Sequence, residues 1–510
     1  MTILNHDYLL LVDLRSRWTV LRKATESLKT VLLLCLFSVD ILQTVTMDGY
    51  SVSNYRRLGR GNSMAKDWAK LGGDRGKPVK TTPLRRAMKL GGLATRLSGS
   101  FLKKQVQRIG RDSNEFESLA EAARDNVKQM VDVMGEMKGA AMKIGQLLST
   151  DPDIVDSGFA ERLATLQRSA PPMDYVTLLN QFESALDRPI GDVFAYFDPE
   201  PIGSASIGQV HRGTLHDGRD VAVKIQYPGI ADSIESDMNH LRRMLRLGRV
   251  LMSKERADAF VDEARQSIIA EADYEQEAQN LVRFRRLFID WPSIRIPEPI
   301  LEYSCPTVLM MEFIDGHPFD EALMGIADES KKDAICTEFI RAYVYMVHEV
   351  NVIHADPHPG NFLLDENHRI VLLDFGCIRD LRPELTDDLL RMLTCVWRDD
   401  MPTLEQHFRR LKFGKEGMDY PDHEALRAYL HIVLHPMISE EPVNFGDFDL
   451  HGPAREFLMD NSALLRMVPP AELLMYFRVL AGLKGMMTRV AATLDVRGLA
   501  AACCERRGLI

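Results

Sequence analysis

The chain has 510 residues, of which 45% are hydrophobic and 27% charged, and its formal net charge is −10. This composition is ordinary for a globular protein, and the length is ample for a two-lobed core with additional segments. Residues 51–110 contain fifteen Lys or Arg and two Asp, a balance of +13, so residues 111–510 carry about −23. A basic arm before an acidic body suits contact with an anionic membrane surface, or serves solubility alone. Nucleic acid is not a predicted partner, because no binding motif for it appears and aromatic residues are sparse in the arm.

The cysteines and the apolar runs indicate the compartment. Seven cysteines are scattered along the chain without a CxxC pair, which indicates reduced thiols in a cytoplasmic compartment. The long apolar run at residues 31–39 has nine residues, far fewer than the ~20 that a membrane-spanning helix needs. The stretch before it is long and contains acidic residues, unlike a signal peptide. We therefore expect a protein without signal peptide or transmembrane helix that associates peripherally with a membrane.

Composition and periodicity divide the chain into four predicted parts. They are a poorly determined, partly disordered extension at 1–80, a helical extension at 81–190, a β-rich small lobe with inserted helices at 191–316, and a mostly helical large lobe at 317–510. Within them, the pattern predicts helices at 82–107 and 126–149, a short helix ending near 186, strands over 194–223, helices at 232–247 and 257–287, a strand at 307–313, a helix at 331–350 and a strand at 369–373.

A glycine-containing hairpin opens the small lobe. Residues 202–224 read IGSASIGQVHRGTLHDGRDVAVK, which matches the kinase nucleotide loop G-x-G-x-x-G-x-V and the following V-A-I-K strand, except that Ala205 stands at the middle glycine. Alternation along VAVK places Ala222 and Lys224 on one face of the strand. A small residue beneath adenine and an ammonium group facing the phosphates therefore share a side. The candidate nucleotide-binding residues here are Gly203, Ala205, Ser206, Gly208, Val210, Ala222 and Lys224.

Two further predictions concern the contacts of adenine and the ion-pair partner of Lys224. The strand at 307–313 (TVLMMEF) leads into a hinge at 312–316, where backbone groups of Glu312 and Phe313 are expected to meet adenine.

The ion-pair partner of Lys224 is the second of these predictions. Glu271, Glu275 and Glu277 are all candidates. Glu277 shares one helical face with the apolar residues four and seven positions later, which favours it.

The most informative segment is 354–376, which reads HADPHPGNFLLDENHRIVLLDFG. Asn361 follows Asp356 by five residues, and Asp374 follows Asn361 by thirteen at the head of a DFG triplet, the spacing of kinase catalytic segments. In that arrangement one carboxylate meets the attacking oxygen, while a carboxamide and a second carboxylate hold Mg²⁺ against the triphosphate. The sequence therefore predicts ATP and Mg²⁺ as cofactors, with Asn361 and Asp374 as metal ligands. The predicted catalytic residues are Asp356, Lys224 and Glu277.

Three features differ from an ordinary protein kinase. The Cβ of Ala205 should push back on close backbone approach to the triphosphate. After the DFG triplet the chain reads CIRDLRPELTDDLLRML, which predicts a helix within about ten residues and leaves no long activation loop and no APE motif. Finally, the residues Lys143-Ile144-Gly145-Gln146 lie on a predicted helix well before the nucleotide loop.

These features together closely resemble the UbiB-like atypical kinase family, in its soluble-tailed branch, whose members support ubiquinone and isoprenoid-lipid metabolism. The resemblance rests on the K-x-G-Q signature at Lys143 and Gln146, the GSASIGQVH loop, the E-x-D signature at Glu271 and Asp273, and HADPHPGN. It extends from about residue 83 to residue 499.

The resemblance implies an α+β, two-lobe fold like that of an atypical protein kinase, with an N-terminal helical extension covering the nucleotide cleft. In that arrangement Lys143 lies near Glu271 or Asp273, and these residues with Gln146 form a regulatory cover that excludes protein substrates. It also implies an ATP-dependent kinase or ATPase whose partners are an anionic membrane surface or an isoprenoid lipid intermediate, and quinone-biosynthesis proteins.

Two other functions are compatible with the pattern. A soluble small-molecule phosphotransferase of the aminoglycoside or choline type also carries H-x-D-x-x-x-x-N, although the K-x-G-Q helix argues against it. A nucleotide-gated scaffold or lipid chaperone would need little turnover, although the intact Asp356, Asn361, Asp374 and Lys224 argue against a pure pseudokinase.

Overall fold

A computed structural model of the chain describes residues 173–205, 207–230, 254–414 and 417–510, with a few single positions between 231 and 253. The basic arm, the apolar run and the predicted helices at 82–107 and 126–149 lie outside the described residues, and the predicted domain boundaries stay predictions.

Strands and helices follow the predicted order, with a β-rich half before a helical half. The strands are β1 Phe194–Phe197, β2 Gly203–Ala205, β3 Gly208–Leu215, β4 Asp220–Gln226, β5 Ile294–Arg295, β6 Val308–Glu312, β7 His317–Pro318, β8 Val352–His354, β9 Phe362–Leu364, β10 Ile370–Leu372, β11 Ile378–Asp380, β12 Val443–Asn444 and β13 Thr493–Leu494. The helices are α1 Tyr175–Leu186, α2 Ile190–Val193, α3 Lys254–Glu271, α4 Tyr274–Leu287, α5 Phe319–Met324, α6 Glu329–His348, α7 Pro383–Trp397, α8 Met401–Arg410, α9 His423–Val433, α10 His435–Ile438, α11 His451–Asp460, α12 Ala471–Arg489 and α13 Val496–Arg506.

The small lobe is built on an antiparallel sheet of five strands in the order β1-β3-β4-β6, with β2 paired to β3. The central strand β4 reads DVAVKIQ and is buried from its second residue to its last, because β3 and β6 flank it and side chains pack on both of its faces. Lys224 is therefore carried into the interior by a strand that is otherwise mostly apolar.

The helical stretch predicted at 257–287 is two helices rather than one. Helix α3 ends at Glu271, and α4 begins at Tyr274 after Asp273, whose Oδ1 accepts a hydrogen bond from the Gln276 N–H at 2.9 Å. An Asp followed three residues later by Gln is a helix-start signal, and it ends the continuous helical pattern here. Because of this break, α4 packs against the sheet as a separate helix.

Helix α6 lies in the large lobe, where it packs against β8 and its Phe339 ring lies 5.0 Å from the Phe362 ring of β9. Its side chains join a core cluster that continues into the small lobe, while a second apolar cluster lies among α7, α8, α9 and α12. Helix α7 begins at Pro383, seven residues after Gly376. The prediction of a helix soon after the DFG triplet is thus confirmed. Within the described residues, no helix combines the length and apolar character that crossing a bilayer requires.

Candidate active site

A buried ion pair lies between the sheet and α4. The Lys224 Nζ lies 3.0 and 2.9 Å from the two carboxylate oxygens of Glu277, and both side chains are almost completely buried. The contact predicted from the sequence, with Glu277 rather than Glu271 or Glu275 as the partner, is present. Lys224 also approaches Asp374, with its Nζ 3.3 Å from Oδ2. The three residues come from β4, α4 and the end of the β10 segment, so the pair joins both lobes.

Burial and the neighbouring charges shift the pKa values of this cluster in opposite directions. Burial alone would lower the pKa of Lys224, but the carboxylates of Asp374 and Glu277 outweigh it and hold that pKa well above its usual value. Burial raises the pKa of Glu277 to about 7, although Lys224 opposes the rise. The lysine therefore stays protonated, and the state of the carboxylate depends on that one cation.

The DFG segment is fixed from two sides. The Phe375 N–H donates to Glu277 Oε1 at 3.4 Å, and the Asn280 side-chain amide donates to the Phe375 carbonyl at 2.9 Å. From the other side, the His354 ring lies with Nε2 2.6 Å from the Asp374 carbonyl oxygen. Helix α4 and the catalytic segment thereby hold the backbone of Asp374 in place, while its side chain stays 31% exposed toward the cleft.

The catalytic segment itself is tied by short-range hydrogen bonds. The Asn361 side-chain amide donates to the Asp356 carbonyl at 3.0 Å, and the His358 N–H donates to the same oxygen at 2.8 Å. The Leu373 N–H donates to the Asn361 carbonyl at 3.0 Å, which joins this loop to the strand before Asp374. The loop that carries Asp356 and Asn361 is thus joined to the strand that leads to Asp374, and the roles of the three side chains stay predictions.

These residues fit a magnesium ion. One ammonium group is shared by two carboxylates, so the cluster has an excess of negative charge, and Asp374 presents it to the cleft. A carboxylate and a carboxamide are the oxygen donors that Mg²⁺ accepts alongside phosphates. No group of three or more His, Cys, Asp or Glu in the described residues is placed to hold a metal. An ion at Asn361 and Asp374 would therefore take its other ligands from a nucleotide and water.

The nucleotide loop is a tight hairpin in which Gly203 pairs with Val210 and Ala205 with Gly208. A Cβ at Gly208 would lie 2.4 Å from the Ile225 carbonyl oxygen and 2.7 Å from the Tyr274 hydroxyl, so packing against β4 and α4 requires this glycine. A Cβ at Gly203 would meet nothing within 4 Å. The remaining loop residue, Ser206, lies outside the described residues.

The backbone N–H groups at the predicted hinge have partners within the protein. The Glu312 N–H donates to the Glu298 carbonyl at 2.8 Å, and the Phe313 N–H donates to the Asp220 carbonyl at 3.0 Å. These two N–H groups are therefore already paired within the protein, and the predicted contact of Glu312 and Phe313 with adenine stays a prediction. Their carbonyl groups and the backbone of 314–316 remain candidates for contact with the base.

Half of the predicted cover can be located. Glu271 is buried at the end of α3, and its Cγ lies 3.6 Å from where a Cβ of Gly376 would stand, so it borders the DFG triplet. Asp273 caps α4, which gives this carboxylate a structural role within the small lobe. Lys143 and Gln146 lie outside the described residues, and the cover over the cleft stays a prediction.

Sequence reasoning missed two site residues, Tyr274 and Asn280. Both lie on α4, one turn before and one turn after Glu277, so their spacing on one helical face was a usable signal. The Tyr274 ring lies 4.9 Å from the Lys224 Nζ, and its buried hydroxyl has no hydrogen-bond partner in the described structure. His211 has a structural role, since it is buried and its Nδ1 lies 2.9 Å from the Asp198 carbonyl oxygen.

A kinase-like arrangement of two lobes, a lysine–glutamate pair and a DFG segment thus defines the class. Residues 165–408 match the family model of the ABC1 atypical kinase-like domain. Atypical kinase coq-8, mitochondrial, from Caenorhabditis elegans is 31% identical over 404 residues, which are 78% of this chain and 52% of that protein. Atypical kinase COQ8B, mitochondrial, from Rattus norvegicus is 31% identical over 440 residues, 83% of this chain and 81% of that protein.

A solved structure agrees with these relatives. Rv3197 from Mycobacterium tuberculosis, in complex with erythromycin, is 26% identical, has a TM-score of 0.53, and covers 76% of this chain and 97% of its own. The chain belongs to the ABC1, or UbiB-like, family of atypical kinases. The resemblance predicted from the motifs and the α+β, two-lobe fold are confirmed. The chain spans about half the length of the nematode protein.

Proposed function

We propose that this protein binds ATP with Mg²⁺ in the cleft beside β4 and transfers or hydrolyses the terminal phosphate. The observation that carries the proposal is the Lys224–Glu277 pair, held at 3.0 and 2.9 Å, with the partly exposed Asp374 3.3 Å from the same ammonium group. A buried pair that served the fold alone would be complete without a third carboxylate facing solvent. The third carboxylate is explained if a divalent cation and a polyphosphate share the cleft.

Each residue has a distinct proposed role. Lys224 would contact the α- and β-phosphates, and Asn361 and Asp374 would hold the metal ion, which when bound neutralises phosphate charge. Asp356 would orient the attacking hydroxyl group or water, because its backbone is fixed by hydrogen bonds from Asn361 and His358. Positioning and charge stabilisation are the main contributions that a protein makes to phosphoryl transfer.

The substrate lies in ubiquinone or other isoprenoid-lipid biosynthesis at a membrane surface. Two observations support this part of the proposal: the names of the COQ8-type relatives, and the +13 balance of residues 51–110, which favours an anionic lipid surface. Quinone-biosynthesis proteins are the proposed partners. A cytoplasmic-type, reducing compartment fits the scattered cysteines, and the described cysteines are all free thiols.

The test is ATP consumption by the purified full chain, with and without Mg²⁺ and with and without anionic liposomes. We expect turnover that requires Mg²⁺ and falls at least a hundredfold in Asp356→Asn. Asp380→Asn is the matched control, because Asp380 is a 74% exposed carboxylate on β11 that pairs with Arg283 outside the cluster. Equal loss in both variants, or turnover unchanged in Asp356→Asn, would refute the assignment of Asp356.

Binding is tested separately with Asp374→Asn. This change removes the charged ligand of the metal, so the affinity for Mg-ATP should fall at least tenfold while the affinity for metal-free nucleotide changes little. Titration of nucleotide followed by thermal shift, with Mg²⁺ or with a chelator, measures both. Retained Mg-ATP affinity would contradict the proposed metal site.

A nucleotide-gated binding protein with little turnover is the second candidate. It is favoured by the Mycobacterium tuberculosis neighbour, whose structure is a complex with the small molecule erythromycin. Mg-ATP binding that depends on Asp374, without ATP consumption under any lipid condition, would favour this function over the first.

A further inference from the structure

The large lobe contains an apolar cavity that the nucleotide chemistry does not use. Its volume is about 280 Å³, and it lies among α6, α7, α9, α12 and α13. We call it the large-lobe cavity and define it by six of the side chains that line it: Val344, Leu393, Val396, Leu430, Leu483 and Ala500. It lies where the second apolar cluster meets the main core, so its walls are structural helices.

The inner wall carries almost no charge. His348 lines the cavity, and burial lowers its pKa to about 4, so the ring is neutral at pH 7. Burial also raises the pKa of Tyr343, which keeps that phenol neutral. Among the described residues that line the cavity, Lys484 is the one charged at neutral pH, and it is half-buried with its Nζ 5.7 Å from the centre of the Phe448 ring. The site therefore disfavours ions and offers water few hydrogen bonds.

Size and chemistry together specify an occupant. A dry apolar cavity of roughly 150 Å³ binds benzene in a protein of known structure, so about 280 Å³ has room for roughly ten to twelve carbon atoms. Native interiors are close-packed, and a void of this size forfeits the contacts of every side chain around it. A ligand that restores those contacts gains both dispersion and hydrophobic free energy.

We propose that the large-lobe cavity binds one uncharged hydrocarbon chain of roughly ten carbon atoms, such as the tail of a lipid or terpenoid molecule. A folded protein partner is too wide to contact walls formed by deeply buried side chains such as Val479 and Leu483, which are 1% and 5% exposed. The cavity adjoins the catalytic segment. Ile353 of β8 lines it, and Gly482 of α12 lies so close to Pro357 that a Cβ there would be 2.7 Å from the Pro357 Cγ. The proposal does not rest on phosphoryl transfer, because binding is measured without nucleotide.

The experiment titrates the full chain with N-phenyl-1-naphthylamine, a neutral apolar fluorophore, and displaces it with n-decanol or with decane-1,10-diol. We expect one saturable site per chain, displacement by decanol, and displacement by the diol at least tenfold weaker, because its second hydroxyl group would be buried without a partner. Asp374→Asn should bind the fluorophore as the parent does, so this result stands even if the nucleotide proposal fails. An absence of saturable binding, or equal displacement by the two alcohols, would overturn the inference.

Two substitutions locate the site. Ala500→Phe fills the cavity from α13 and should weaken fluorophore binding at least tenfold while leaving the thermal midpoint unchanged or higher. Ala501→Phe is the matched control on the same helix, because residue 501 does not line the cavity, and it should bind as the parent does. Retained binding in Ala500→Phe would refute the location. If Ala500→Phe does not fold, the smaller change Val396→Leu must still weaken binding at least threefold at an unchanged midpoint, and unchanged affinity there would overturn the proposal.

Discussion

Two buried regions of this protein are built on opposite principles. In the cleft, the carboxylates of Glu277 and Asp374 both lie within 3.3 Å of the Lys224 Nζ. In the large lobe, an apolar cavity of about 280 Å³ is lined almost entirely by hydrocarbon. In the charged cluster, each residue constrains the positions of the other two. In the large-lobe cavity, the side chains leave space unfilled.

The two regions differ in how well they tolerate substitutions. A buried charge without its partner is expensive, so the positions in the charged cluster depend on one another. An apolar wall accepts many combinations of Leu, Val and Phe of similar volume, so its positions are nearly independent. Substitutions can test this comparison. In the cleft, the loss in free energy of unfolding that a substitution causes should depend on pH, whereas in the large lobe it should not.

The largest effect is expected for Lys224→Ala. Removing one partner of a buried pair typically costs about 3–5 kcal/mol, because the other charge is left uncompensated. The cost should be larger at pH 8 than at pH 5, since Glu277 can take up a proton at the lower pH. Urea unfolding at both pH values measures the free energy of unfolding. The control is Arg212→Ala, which breaks the exposed pair with Asp220 and should cost at most about 1 kcal/mol. A similar cost for the two variants would remove the distinction between the cleft and the surface.

The next effect belongs to the large lobe. Leu473 on α12 is fully buried in the second apolar cluster, and Leu473→Ala should cost about 2–5 kcal/mol through lost burial and a new void. No ionisable group is created or removed, so the cost should be the same at pH 5 and pH 8. If the loss in free energy of unfolding changed with pH as it does for Lys224→Ala, the two regions would be energetically coupled.

This contrast also explains what the sequence could predict. The positions of Lys224, Asp356, Asn361 and Asp374 followed from spacing, because a cluster of charges around a triphosphate permits few arrangements. The cavity could not be predicted, because it depends on the spatial packing of helices that are far apart in the chain, and the apolar pattern of each helix is the same with or without a void.

Two local features were not visible in the sequence for similar physical reasons. The pattern of 257–287 is helical throughout, and only the cap formed by Asp273 shows that the chain breaks there. The pairing of the Glu312 and Phe313 N–H groups with Glu298 and Asp220 could not be predicted either, because those partners lie on segments whose pairing is not visible in the sequence.

A smaller effect concerns Glu277 itself. Burial raises its pKa from 4.5 to about 7 in the folded protein, so between these values the folded state holds a proton that the unfolded state has released. Its contribution to stability is therefore fully present below pH 4.5 and is lost as the pH rises through 7. Relative to Glu277→Gln, which has no such proton, the parent protein should lose roughly 1 kcal/mol or more between pH 5 and pH 8. Parallel pH profiles for parent and variant would contradict the raised pKa.

The smallest effect concerns the Tyr274 hydroxyl, which has no hydrogen-bond partner among the described residues. The Tyr274 side chain is completely buried, and no described group forms a hydrogen bond with its hydroxyl, which lies against Gly208 of the nucleotide loop. Burying an unpaired hydroxyl is unfavourable, whereas the phenyl ring beside Lys224 keeps its packing and its cation–π contact without the oxygen. Tyr274→Phe should therefore raise the free energy of unfolding by up to about 1 kcal/mol or leave it unchanged. Tyr343→Phe is the control, because the Tyr343 hydroxyl lies 3.5 Å from the His354 Nδ1 and its loss should destabilise the protein slightly. If Tyr274→Phe destabilises the protein as much as Tyr343→Phe, the hydroxyl has a partner in the folded state, and the charged cluster includes one more hydrogen bond than the described structure contains.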